Sequence, residues 1–263
     1  MKLDRRKFLT IAAGSLGASG WVSHPMPRPV APRQLQAIAF DAFAVFDPRP
    51  VSVLAETLFP GKGSDLSNAW RTRQFEYQWL RNLSGRYADF WQITEEALVF
   101  AAKLLKLDLI PGKRARLMQA YLELESWTDV PSSLRALKEA GIRLAFLSNM
   151  TTRMLKAGIE NAGLEGAFEH VLSTDGIRAY KPHPRAYQMG MDAFRLEREA
   201  VLFAAFAGWD AAGARWFGYP TFWVNRLGFP DEELGVTADA VGRDLQDLVD
   251  FVAEERPAFS AAR

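Results

Sequence analysis

The chain has 263 residues, 49% of them hydrophobic, with 32 basic against 31 acidic side chains and a formal net charge of +1. That apolar share can build one large or two modest domains, and the interspersed, balanced charge offers no footprint for nucleic acid or an anionic membrane face. Cysteine is absent, which excludes disulfides, thiolate nucleophiles and thiolate metal sites.

At the N-terminus, Asp4-Arg5-Arg6-Lys7-Phe8-Leu9-Thr10 leads into IAAGSLGASGWV, a mildly apolar stretch rich in Gly and Ala. Paired arginines before a short apolar run resemble a bacterial twin-arginine export signal, which implies the export machinery as a partner and a periplasmic destination. The run is too short and too rich in glycine for a membrane span, and GSLGASG lacks the spacing of a dinucleotide fingerprint. HPMPRPVAPRQ reads as linker, so residues 1–35 are assigned to signal and linker. The continuous apolar run LQAIAFDAFAVF predicts a strand buried on both faces of a parallel sheet. From Pro50 to about Glu125 apolar residues recur at spacings of three and four, as in LSNAWRTRQFEYQWLRNLSGRY and ITEEALVFAAKLLKL, which predicts helix throughout. After Val130, SSLRALKEAG, TRMLKAGIENAG, PRAYQMGMDAF and DAAGARWFG alternate as helices with the strands IRLAFLSN, FEHVLST, AVLFAAF and YPTFWVN. Such alternation predicts an α/β fold with a doubly wound parallel sheet, and the first strand must join that sheet to satisfy its backbone groups. The expected organisation is a core of residues 36–49 and 127–252, an inserted all-helical cap of residues 50–126, and a frayed tail of residues 253–263.

Reactive groups in open α/β sheets gather at the carboxyl ends of the strands. Asp41, Ser148, Asn149, Lys181 in the loop before a helix, and Asp210 all fall there. Taken singly each has a duller reading: Asp41 and Asp210 as helix caps, Arg71 as solvated surface, Tyr187 as packing. His24, His170 and His183 have neither metal-ligand spacing nor a serine partner.

In order, Asp41, Ser148-Asn149, Lys181 in YKPHPRAY and Asp210 in GWDAAGARWFGYPTFWVNR resemble the haloacid dehalogenase superfamily. Trp70-Arg71, the following QFEYQWLRNL and the KPHPRAY run ending in Tyr187 resemble its branch of L-specific 2-haloacid dehalogenases, from about Gln36 to Val252. The resemblance implies that Asp41 displaces halide from C2 of a small halocarboxylate to form an ester, which water then hydrolyses. Arg71 and Asn149 would cradle the halide, Ser148 would bind the substrate carboxylate, and Lys181 would hold Asp41 ionised and oriented. Asp210 would orient or deprotonate the water, and Phe43, Phe75, Phe90, Tyr187 and Trp209 would form the substrate pocket. No metal or cofactor is implied, and homodimers are common in this branch.

Superfamily phosphatases carry an acid two residues after the nucleophile and another four residues before the position of Asp210; here these are Phe43 and Phe206. A halide leaves without a proton, so their loss disfavours phosphoryl transfer and suits a dehalogenase. Other departures bear on turnover: the usual glycine and threonine of the nucleophile loop are Ala44 and Val45, and a serine and an asparagine near Asp210 are Ala205 and Ala207. Three readings follow: an exported dehalogenase, an impaired relative that binds small carboxylates or halide, and, disfavoured by Phe43, a metal-dependent phosphatase.

Overall fold

The apolar run after Leu35 is a strand only as far as Phe40. In the computed structural model, which describes residues 35–255, β1 (Ala37–Phe40) ends at Asp41. The Asp41 carboxylate accepts from Phe43 N at 3.0 Å and caps a single helical turn, α1 (Ala42–Val45). The strand thus ends at Asp41, where the sequence placed its end, because a side-chain cap satisfies the next amide and turns the chain.

Four helices follow: α2 (Arg49–Leu58), α3 (Gly63–Leu83), α4 (Phe90–Leu104) and α5 (Pro111–Ala120). Proline in the first turn of α2 and α5, and Asp89 accepting from Gln92 N at 2.8 Å ahead of α4, fix where these helices start. Helix stops at Ala120, short of the expected Glu125, because the chain must extend to re-enter the core. There Ser126 bridges Phe46 in antiparallel fashion, Asp47 N donates to Glu125 O and Trp127 N donates to Val45 O. Outgoing and returning segments therefore brace each other, with the Trp127 indole N–H donating to Phe43 O and Phe46 O at 3.0 Å.

Beyond this crossing come α6 (Val130–Glu139), β2 (Arg143–Ser148), α7 (Thr152–Asn161), β3 (His170–Ser173), α8 (Pro184–Phe194), β4 (Val201–Ala205), α9 (Gly208–Phe217), β5 (Thr221–Val224), β6 (Ala240–Gly242) and α10 (Leu245–Glu255). The sheet is parallel throughout, in the order β3-β2-β1-β4-β5-β6. Strand β6 escaped the sequence reading because it is a three-residue edge strand without an apolar run. Helix α10 continues to Glu255, into the segment expected to fray.

Alternation along the strands sends Ile38, Phe40, Leu144, Phe146, Leu202 and Phe222 to one face and Ala37, Ala39, Ala145, Leu147, Phe203 and Ala205 to the other. The first face packs on α6, α7 and α10, and the second on α8 and α9. The chain winds outward from β1 to β3, then returns to lay β4 on the other side of β1. The carboxyl ends of β1 and β4 are the switch point at which such sheets open a crevice.

Helix α7 approaches the crossing closely. A Cβ on Gly158 would sit 2.7 Å from the Phe46 ring, itself stacked on Phe146 at 5.2 Å. Gly158→Ala is expected to destabilise the protein by about 1–3 kcal/mol through overpacking, read as a lower denaturant midpoint with unchanged slope.

Candidate active site

Three strand ends deliver charge to one point. Asp41 follows β1 and Asp210 lies in the first turn of α9, after β4. Lys181 precedes α8, and its Nζ lies 2.8 Å from Asp41 Oδ2 and 2.5 Å from Asp210 Oδ2. The side chains of Lys181 and Asp210 are 1% exposed and that of Asp41 13%. The nucleophile candidate alone therefore meets solvent.

Burial alone would lower the Lys181 pKa, but Asp210 and Asp41 raise it above the usual lysine value. The ammonium stays charged. For Asp210 burial dominates and Asp41 adds repulsion, so its pKa rises to about 6 despite Lys181 and Tyr187. Asp210 is thus ionised at neutral pH and within reach of a proton.

Asp41 and Asp210 lie at the floor of a cavity of about 190 Å³ between sheet and cap, with Lys181 beneath them. Asp41, Asp210, Ser148 and Asn149 line it from the core, with Phe43 and Phe206 packed ring to ring at 5.9 Å. From the cap, α3 contributes Ser67, Trp70, Arg71, Gln74, Phe75 and Gln78, which share one helical face. Phe90 lies deep against Tyr121, and Trp209 meets Phe75 and Trp79 edge to face at 5.5 and 5.7 Å. Arg71 sits 5.7 Å from the Phe75 ring and 5.8 Å from that of Phe229, with no carboxylate partner among the described residues. Its side chain is solvent-accessible, yet the apolar crowding desolvates the guanidinium and lowers its pKa. A cation with no carboxylate partner among the described residues, sharing an aromatic cavity with the Asp41 carboxylate, suits a small anion with an apolar body.

A family description for haloacid dehalogenase-like hydrolases matches residues 34–218. The chain belongs to the haloacid dehalogenase-like hydrolases. Among relatives of these hydrolases, haloacetate dehalogenase H-2 of Moraxella sp. (strain B) is 43% identical, covering 84% of this chain and 99% of its own. The (S)-2-haloacid dehalogenase of Pseudomonas sp. (strain YL) is 43% identical over 82% of this chain and 94% of its own. A crystal structure of an L-2-haloacid dehalogenase from Xanthobacter autotrophicus with chloropropionic acid covalently bound superposes with TM-score 0.77 at 34% identity, covering 83% of this chain and 98% of the other.

Within this hydrolase fold Asp41, Arg71, Ser148, Asn149, Asp210, Phe43, Phe75, Phe90 and Trp209 all border the cavity, and Lys181 reaches Asp41 from beneath it. Tyr187 does not line the pocket, which corrects the expectation from sequence. It is fully buried on the far face of the sheet, where its hydroxyl donates to Asp210 Oδ1 at 2.7 Å. Asp41 serves as a helix cap as well as a cavity carboxylate, whereas Asp210 caps nothing: the N-cap of α9 is Ala207. His183 caps α8 through Nδ1, and His170 lies beside Glu169. Gln74 and Gln78 went unread, although extending the Trp70-Arg71 face by one and two helical turns reaches both.

Lys181→Met would leave the buried Asp210 carboxylate and the partly buried Asp41 carboxylate uncompensated beside each other. A loss of about 3–5 kcal/mol at pH 8 is expected. Without the ammonium the folded-state pKa of Asp210 rises further above its unfolded value, so the deficit should shrink as pH falls and the carboxylate takes a proton. Urea melts of both proteins at pH 8 and pH 5 test the size and sign.

Proposed function

We propose that this protein hydrolyses small L-2-haloacids to 2-hydroxy acids through an ester on Asp41. The observation that carries the reading is the Asp41 carboxylate, anchored by Lys181 and Phe43 N, opposite the unpaired Arg71 in an aromatic cavity. The names of the relatives, haloacetate and (S)-2-haloacid dehalogenases, support the substrate class.

In the first step an Asp41 oxygen attacks C2, the carbon–halogen bond breaks, and the halide leaves with the bonding pair. Arg71 and an Asn149 N–H stabilise the developing anion, and Ser148 holds the substrate carboxylate. No proton is needed, consistent with phenylalanine at 43 and 206. In the second step water adds to the Asp41 carboxyl carbon while Asp210 takes its proton. The ester bond to the substrate oxygen then breaks, that oxygen is protonated, and Asp41 is restored. Hydroxy acid, halide and one proton are released. Lys181 neutralises Asp41 before attack and the oxyanion during hydrolysis.

Incubation with L-2-chloropropionate should release halide continuously, and Asp41→Asn should abolish release. Intact-mass measurement of the quenched enzyme should find the ester on Asp41. A stoichiometric adduct with one equivalent of halide and no turnover would instead assign the impaired reading, the defect lying in hydrolysis beside Val45, Ala205 and Ala207. Turnover should also decline as pH falls through about 6, where Asp210 is protonated and ceases to act as base.

We further infer export by the twin-arginine route to the periplasm, supported by Arg5-Arg6 and the short apolar run, which lie outside the described residues. Replacing both arginines with lysine should retain the precursor in the cytoplasm, as read by cell fractionation. Exposed Leu80 and Leu83 at the end of α3 support a homodimer, which light scattering of the mature protein tests.

A further inference from the structure

Cap and core meet inside the cavity through a pair of carboxamides. Asn149 Nδ2 donates to Gln78 Oε1 at 2.8 Å, joining the end of β2 to α3. Both side chains are buried and both line the cavity beside Asp41. The Asn149 amide cannot be flipped, because its Oδ1 accepts from Lys181 N at 2.9 Å and from Thr174 Oγ1 at 3.2 Å. Gln78 is oriented in turn by its Nε2, which donates to Gln74 O at 3.2 Å. A primary amide carries two N–H groups. One from Asn149 goes to Gln78, and no acceptor among the described residues takes the other.

We propose that Gln78 is a positioning residue for halide departure. By binding one N–H of Asn149 it fixes the amide plane, so that the second N–H is presented to the leaving halide in the cavity. The inference rests on the dehalogenase reading and adds the residue that tunes its leaving-group preference. Chloride, the poorer leaving group, depends more on a fixed donor than bromide does.

The test compares single-turnover rates of halide release from L-2-chloropropionate and L-2-bromopropionate, which isolate ester formation from hydrolysis. Gln78→Leu should raise the bromide-to-chloride rate ratio at least fivefold. Gln78→Glu, which keeps an oxygen acceptor for Asn149, should hold the ratio within twofold of the parent while raising KM for these anionic substrates. A purely structural contribution would slow both substrates alike; an unchanged ratio in Gln78→Leu overturns the proposal and leaves the dehalogenase reading standing. If the parent protein releases halide from neither substrate, that reading fails, and bromide titration followed by tryptophan fluorescence decides the proposal. Affinity at least threefold weaker in Gln78→Leu upholds it and equal affinity overturns it. Gln78→Met, closer in length to glutamine, replaces Gln78→Leu in both measurements if the latter does not fold.

Discussion

One buried ammonium holds two carboxylates that would otherwise repel each other. Lys181 bridges Asp41 and Asp210 where neither it nor Asp210 meets solvent, so removal of the lysine leaves two carboxylates uncompensated, one of them in a poor dielectric. Much of the surrounding structure keeps that ammonium in place. Its backbone N–H is bonded to Asn149 at the end of β2, and the preceding Tyr180 donates to Ala88 O at 2.6 Å and stacks on Tyr87 at 5.2 Å. Tyr187 secures the second oxygen of Asp210 from behind. The cap therefore does more than cover the crevice: through Tyr180 and Asn149 it grips the segment that carries the lysine.

Helix α3 explains how one insert can supply both the apolar walls and the polar contacts. Its 21 residues span about 31 Å, and the face turned to the cavity mixes aromatic with polar side chains. Trp70 and Gln74 are themselves tied to Thr94 on α4, through indole and carboxamide bonds of 2.7 and 2.6 Å. A cavity wall whose buried polar groups are bonded to a second helix keeps its shape without a ligand. Pre-organisation of this kind lets a short-chain anion bind without first ordering the site.

Much of this was legible in the sequence, for physical reasons that also mark where legibility ends. Period and alternation identify buried strands and amphipathic helices, and the strand-end rule then gathers Asp41, Ser148, Asn149, Lys181 and Asp210 without knowledge of any distance. The same rule is silent about side. Tyr187 follows Lys181 closely, yet α8 carries it beneath the sheet, and nothing in a local pattern tells the cavity face of that helix from its core face. At Asp41 the strand end was legible, but the apolar residues that follow do not by themselves show the helical turn that one carboxylate–amide bond creates. Gln78 was within reach of helical spacing, but its link to Asn149 joins residues 71 positions apart and exists only once cap and core are packed.

The departures at Val45, Ala205 and Ala207 remove hydrogen-bonding side chains while leaving the charges intact. Without substrate, Asp41 and Asp210 are balanced by Lys181 and Arg71. A halocarboxylate brings one further negative charge, and formation of the ester followed by loss of the halide removes one. The ester intermediate therefore returns the cavity to neutrality, with the substrate carboxylate and Asp210 set against the same two cations. On the proposed mechanism, electrostatics favour the first step and then hold the intermediate, so throughput would turn on how readily Asp210 activates water. Both of its oxygens already accept bonds, one from Lys181 and one from Tyr187. A carboxylate retains a further lone pair on each oxygen, so water can still be bound, with fewer neighbours to orient it than a serine and an asparagine would provide. On that proposed mechanism, the balance between the two steps is what Val45, Ala205 and Ala207 bear on.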